Sequence, residues 1–341
     1  MVLKSKLWPF LFGLSIGLTL AVYVTTYSKL VFPIATSIYT KRELVSYFPT
    51  EIPSSFDNYI PSINIEDDKS QHKDDDSVSR KLAKNVRILI WVMTSPTNLN
   101  VKAKAVKETW ASHCELVLFF SSVDNDTFPA IGLNVSEGRS HLTAKTMKAF
   151  RYIYENHFND ADWFMKADDD TYVIIENLRY FLSGENSSEP VYFGQLFTTH
   201  VVQGYYSGGA GYVLSKEALR RFGEGAEKVN CSKDHGSEDV EMGFCMWKLG
   251  VRTGNTHDVL GRSRFHVFKP ETHVNGRYMH WYSRYDAYGA KQGIESISDY
   301  AVSFHYVSPP HMYALEFFVY HLRPYGIMSE LQILNNKTTV V

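Results

Sequence analysis

From Val86 to Leu249 short apolar runs alternate with amphipathic stretches, a pattern that predicts strands and helices by turns. Val86–Met93 is a continuous apolar run apart from Arg87 and reads as a buried strand, stopped by Thr94-Ser95-Pro96. Val101–Ser112 has helical spacing, and Glu115–Phe120 is a second strand. In Thr143–His157 the residues Met147, Phe150, Ile153 and Tyr154 fall on one helical face. A strand beginning at Trp163, a helix over Ile174–Leu182, a strand over Val191–Gln195 and helices over Ser215–Phe222 and Ser237–Leu249 complete the series. Such alternation predicts an α/β fold with a Rossmann-like, mostly parallel central sheet flanked by helices. Ligands of such sheets gather at the carboxyl ends of the strands.

The chain before Val86 reads differently. Lys4 and Lys6 precede an uncharged run from Leu7 to Ser28, long enough for the roughly 20 residues of a bilayer-spanning helix. Positive charge ahead of it favours a cytosolic N-terminus. The expected organisation is a cytosolic tail over 1–6, a signal-anchor over 7–28 and a polar, proline-punctuated stem over 29–85. A globular domain over 86–330 and a tail over 331–341 follow. A cleaved signal peptide is the alternative for the apolar run. Either way the body enters the secretory pathway, as the sequons at Asn125, Asn134, Asn186, Asn230 and Asn336 would suit. Three cysteines in an oxidising compartment suggest one disulfide and one leftover thiol, with Cys231 and Cys245 the nearer pair and Cys114 at the start of a strand. Lys and Arg number 35 against 37 Asp and Glu, so there is no basic footprint of the kind nucleic acid requires.

Candidate chemistry concentrates in Asp168-Asp169-Asp170, directly after Trp163-Phe164-Met165-Lys166-Ala167. Adjacent carboxylates repel one another, and an apolar strand ending in them can deliver oxygen ligands to a hard divalent ion. An acidic solvated turn is the plain alternative, and Asp74-Asp75-Asp76, with no apolar strand before it, carries no function on this reading. With a metal, the site would suit a sugar nucleotide, with Asp170 the direct ligand and Asp168 nearer the ribose and metal shell. Glu238-Asp239 opens a helical run after Ser237, where carboxylates cap and favour the helix dipole. The alternative role for Asp239 is a general base, its pKa kept low by the helix N-terminus. Ser207-Gly208-Gly209-Ala210-Gly211 allows close backbone approach or a tight bend. His305 lies among apolar neighbours and reads as a core histidine or a metal ligand. His280–Tyr285 offers aromatic faces for a sugar, or for packing.

Taken in order, Lys166–Val173, Ser207–Ser215, Glu238–Gly243 and Ser303–Val307 resemble the β1,3-glycosyltransferase superfamily that includes the Fringe proteins. Trp163–Leu182, Gln203–Phe222 and Tyr313–Gly326 are similar, more closely, to its core 1 β1,3-galactosyltransferases, over about residues 86–328. The resemblance implies a GT-A fold and Mn²⁺-dependent inverting transfer of galactose from UDP-galactose to GalNAc α-linked to Ser or Thr of glycoproteins. It also implies a Golgi type II membrane protein with a lumenal catalytic domain. It puts the metal on Asp168, Asp170 and His305 and the base on Asp239. Thr94, Lys145, Asp168, Asp169, Gly208 and Gly209 fall on the donor side, and Trp281 and Glu238 on the acceptor side. Members of the family are often homodimers, and a related type II chaperone that assists their folding lacks the aspartate triplet this chain keeps. Glu295–Tyr300 stands where vertebrate members carry a Cys-Cys pair, which puts the disulfide scheme in doubt. Another donor sugar or acceptor is the alternative within the same fold.

Overall fold

The computed structural model describes residues Asp75–Pro324. The described residues belong to one compact unit. The expected anchor over 7–28 and the sequon at Asn336 lie outside them. Among the described residues no helix is long and apolar enough to cross a membrane.

In chain order the elements are α1 (Ser77–Asn85), β1 (Ile88–Met93), α2 (Lys104–Glu108), β2 (Leu116–Ser121), β3 (Ala130–Gly132), α3 (Leu142–His157), β4 (Trp163–Asp168), β5 (Tyr172–Val173) and α4 (Ile175–Leu182). They continue with β6 (Val191–Gly194), β7 (Leu196–Phe197), β8 (Tyr205–Tyr206), β9 (Tyr212–Ser215), α5 (Lys216–Gly225), α6 (Glu238–Lys248) and β10 (Arg252–Thr253). The last are β11 (Phe265–His266), α7 (Pro270–Asn275), α8 (Tyr282–Tyr285), β12 (Ser303–Phe304) and α9 (Pro309–Glu316). The expected strands and helices are present with small shifts of boundary. Two differences are informative. The single helix expected over Val101–Ser112 is a π turn over Leu99–Ala103, then α2, then a 3-10 turn over Trp110–His113. The end of the stretch read as stem forms α1, with Asp76 at its N-cap position.

Seven strands form one sheet in the order β10-β6-β9-β4-β1-β2-β3. The β1–β2, β1–β4, β2–β3 and β6–β10 pairs are parallel, but β9 runs antiparallel between β4 and β6. The sheet is therefore mixed. Strand alternation sorts its side chains onto two cores. Ile88, Ile90, Val92, Trp163, Met165 and Ala167 face one core, under α2, α4 and α9. Leu89, Trp91, Met93 and Phe164 face the other, under α3, α5 and α6. By the same parity Lys166 and Asp168 share the side of Phe164. A small second sheet, β11-β12-β5, joins parts of the chain that are remote in sequence.

Cys231 and Cys245 form a disulfide, as their proximity in sequence suggested, tying the approach of α6 to the helix itself. Cys114 is a half-buried free thiol whose pKa burial pushes up to about 11. Of the sequons, Asn134, Asn186 and Asn230 are exposed, whereas Asn125 is half-buried and its Oδ1 accepts from the Phe128 N–H at 2.9 Å. The disulfide closes a short loop, its cysteines 14 positions apart in sequence, and should contribute about 3 kcal/mol by restricting the unfolded chain. Cys245→Ala is expected to lower the denaturant midpoint accordingly, with a somewhat steeper dependence on denaturant because the unfolded chain is no longer cross-linked. An unaltered midpoint would show that the bond does not stabilise the fold.

Candidate active site

β4 ends beside β1, and Asp168 pairs in register with Met93. The three aspartates then diverge. Asp169 turns into the protein, accepting from Thr94 Oγ1 at 2.8 Å and Asn98 Nδ2 at 2.9 Å. It thus anchors the loop after β1. Burial raises its pKa, against the opposing influence of Lys102, Thr94 and Asn98. Asp168 and Asp170 face a common point with His305. One ligand atom from each lies within 4.8 Å of the others, and His305 Nε2 is 3.1 Å from Asp170 Oδ1 and 3.9 Å from Asp168 Oδ2.

The register of β5 against β12 makes this meeting possible. Tyr172 is opposite Phe304 and Val173 opposite Ser303, antiparallel, and the Val307 N–H donates to Asp170 C=O at 2.9 Å. His305 therefore emerges just beyond the pairing, level with Asp170. Burial opposes ionisation of Asp170, but His305 and then Lys102 outweigh it and bring its pKa down to about 2. Two carboxylates and an imidazole are a donor set that Mn²⁺ accepts, so the residues present fit a divalent ion.

Gly208 and Gly209 lie against this centre for a steric reason. A Cβ on Gly209 would collide with the His305 ring, and one on Gly208 with Glu238 Oε2. Positive φ belongs to Gly211 instead, at +78°. Gly209 C=O accepts from Thr171 Oγ1 at 2.7 Å, which fixes the loop to the turn after the triplet. The Gly208 N–H reaches Asp239 Oδ2 at 3.4 Å, while the Val240 N–H donates to Asp239 Oδ1 at 2.9 Å. The two glycines thus bring His305 and Asp239 against neighbouring residues of one loop.

Asp239 does not have the low pKa expected from its place at a helix N-terminus. Burial raises it, and the backbone N–H groups of Gly208 and Val240 only partly offset that. Ser237 holds the N-cap position but makes no side-chain cap. Glu238, expected on the acceptor side, is buried. Its Oε1 accepts from Tyr212 OH at 2.6 Å and Thr146 Oγ1 at 3.0 Å, and its Oε2 lies 3.5 Å from Lys166 Nζ.

Lys166 was not singled out from sequence, although its parity with Phe164 and Asp168 signalled a cation aimed into a core. Fully buried, it lies 2.6 Å from Asp168 Oδ1 and donates to Gly208 C=O at 3.0 Å. Burial opposes its charge, but Asp168 and Glu238 prevail and raise its pKa. Lys145 is likewise buried, donating to Thr94 C=O at 3.1 Å and pairing with Glu137 at 2.7 Å. Of the aromatic segment, Tyr282 is buried, and Trp281 is half-buried with its ring edge-on to Tyr285 at 5.6 Å. Tyr306 is a further residue unmarked in sequence. It is exposed, holds a φ of +58°, and lies 4.0 Å from the His305 ring, while Phe268 links it to Trp281.

Two outcomes follow from this packing. Gly209→Ala should displace the His305 ring and weaken divalent-ion binding by tenfold or more (about 1.4 kcal/mol), read by titration with Mn²⁺; unchanged affinity would refute the steric role. For Asp239 the raised pKa means that the folded state binds a proton more readily than the unfolded chain, so ionisation costs stability as pH rises past the ordinary carboxylate range. Asp239→Asn should therefore melt higher than the wild type at neutral pH, and the gain should vanish on acidification. A lower melting temperature at neutral pH would contradict this.

Comparison with known proteins agrees with the motif order. A Fringe-like family model matches residues 83–272. Glycoprotein-N-acetylgalactosamine 3-beta-galactosyltransferase 1 of Xenopus laevis is 48% identical over 263 residues, 76% of this chain and 73% of that protein. A beta-1,3-glucosyltransferase of Homo sapiens is 29% identical over 56% of this chain and 37% of its own length. Among solved structures, a glycosyltransferase involved in glycosylation of the major capsid of PBCV-1 aligns with 68% of this chain and 100% of its own, at 15% identity and a TM-score of 0.38. The chain belongs to the Fringe-like family and is a glycosyltransferase, similar over most of its length to a glycoprotein-N-acetylgalactosamine 3-beta-galactosyltransferase.

Proposed function

We propose that this enzyme transfers galactose from UDP-galactose to the 3-hydroxyl of GalNAc α-linked to Ser or Thr, with inversion, on a GT-A-type domain held in the Golgi membrane by the apolar segment over 7–28. The observation that carries the reading is the juxtaposition of two functions on one loop. Asp168, Asp170 and His305 converge beside Gly209, and Asp239 meets Gly208.

Asp168, Asp170 and His305 are the residues that would hold Mn²⁺. When bound, the ion neutralises charge on the departing diphosphate. Asp239 accepts the proton of the acceptor hydroxyl as that oxygen bonds to the anomeric carbon of galactose and the bond to UDP breaks. Its burial suits the task, because a base with raised pKa takes up a proton more readily. Two backbone N–H groups keep its oxygens in place. Thr94 and Lys145 shape the donor side from within, with Asp169 acting through the loop it anchors and Gly208-Gly209 seating Glu238 and His305 against their own loop. Trp281, with Phe268 and Tyr306, supplies ring surface for the acceptor sugar. Glu238 serves beneath, through Lys166 and Tyr212.

Asp239→Asn should abolish transfer, by about 10²-fold or more, while leaving UDP and Mn²⁺ binding near wild type. Retained turnover would overturn the base. A panel of nucleotide sugars offered with a GalNAc-peptide and Mn²⁺ should yield galactosyl product. Transfer of glucose or GlcNAc in its place would reassign the donor.

A further inference from the structure

Lys102 stands out among the cations around the triplet because it is not locked in. Its Nζ lies 3.3 Å from Asp170 Oδ2 and 3.5 Å from Asp169 Oδ1, yet its side chain keeps 35% of its surface exposed. Lys166, by contrast, is boxed in by Asp168, Glu238 and Gly208 C=O. Lys102 also sits on the π turn Leu99–Ala103, at the solvent-facing end of the loop that Asp169 anchors through Thr94 and Asn98. A divalent ion held by Asp170 must share that carboxylate with an ammonium already paired to it, and two cations at such separations repel strongly in a half-buried site. The nearest anion that a metal-loaded site adds is the diphosphate of the nucleotide.

We propose that Lys102 is an exchangeable counter-ion. Without metal its ammonium neutralises Asp170. On metal binding it leaves that carboxylate and pairs with the diphosphate of the nucleoside diphosphate. This rests on the metal and sugar-nucleotide reading given above. The exchange makes the ammonium a competitor of the metal and a partner of the nucleotide, so its removal has effects of opposite sign.

The test uses the full-length chain stripped of divalent ions. Binding of Mn²⁺ alone is measured by paramagnetic resonance of the free ion, and binding of UDP by calorimetry at saturating Mn²⁺. Lys102→Met should bind Mn²⁺ alone a fewfold more tightly, the scale of a partly exposed ion pair. It should bind UDP about tenfold more weakly, the scale of a charge-assisted hydrogen bond. Lys102→Arg should recover UDP affinity. If Lys102→Met weakens both ligands together, or alters neither, the exchange is wrong and Lys102 is a scaffold residue. If the wild-type chain itself fails to bind Mn²⁺, the metal reading falls and takes the exchange with it, a result distinct from normal wild-type binding with an indifferent variant.

Discussion

One buried ammonium holds the centre of this molecule together. Asp168 and Asp239, both half-buried, approach the buried Glu238, and such a cluster of like charge is costly unless a cation shares the space. Lys166 supplies it from the middle of β4, reaching Asp168, Glu238 and the Gly208 carbonyl at once. Much else follows from that placement. Position 208 must lack a side chain because Glu238 and Lys166 fill the space a Cβ would need. Tyr212, one strand away, must keep its hydroxyl as a donor to Glu238, and burial together with that carboxylate raises its pKa far enough to guarantee it.

The cost of this arrangement shows in the carboxylates themselves. Asp169, Glu238 and Asp239 all have pKa values raised by burial, whereas Asp170, facing His305 and Lys102, is lowered. The carboxylates buried among polar partners are thus separated electrostatically from Asp170, which faces His305 and Lys102. Catalytic sites commonly hold such destabilised charges, and the surrounding packing compensates for them.

The alternation of apolar runs was enough to place most strands and helices, because the buried strands carry continuous hydrophobic stretches that only a two-sided core can satisfy. It did not reveal that β9 runs antiparallel. Direction depends on how the glycine-rich loop returns, and that is a tertiary property. The acidic triplet, the glycine pair, Asp239 and His305 were legible as motifs, and their order along the chain carried the family. The inward turn of Asp169 was not, since only the fold shows that the loop after β1 claims it through Thr94 and Asn98. Lys166 was readable in principle from strand parity, and Tyr306 was not, its exposure being fixed by a left-handed turn. Asp239's pKa was misjudged because the helix end was weighed and the burial was not.

The small sheet of β5 and β12 has a consequence for the order in which the protein comes into being. A chain is made from its N-terminus, so the residues of the large sheet are synthesised before those that pair with β5. The large sheet needs nothing beyond β10, but His305 arrives only after Ser303 and Phe304, and Glu316, which accepts from Tyr172 OH at 2.9 Å, comes later still. The strands of the large sheet are thus all made before the residue that completes the cluster of Asp168, Asp170 and His305.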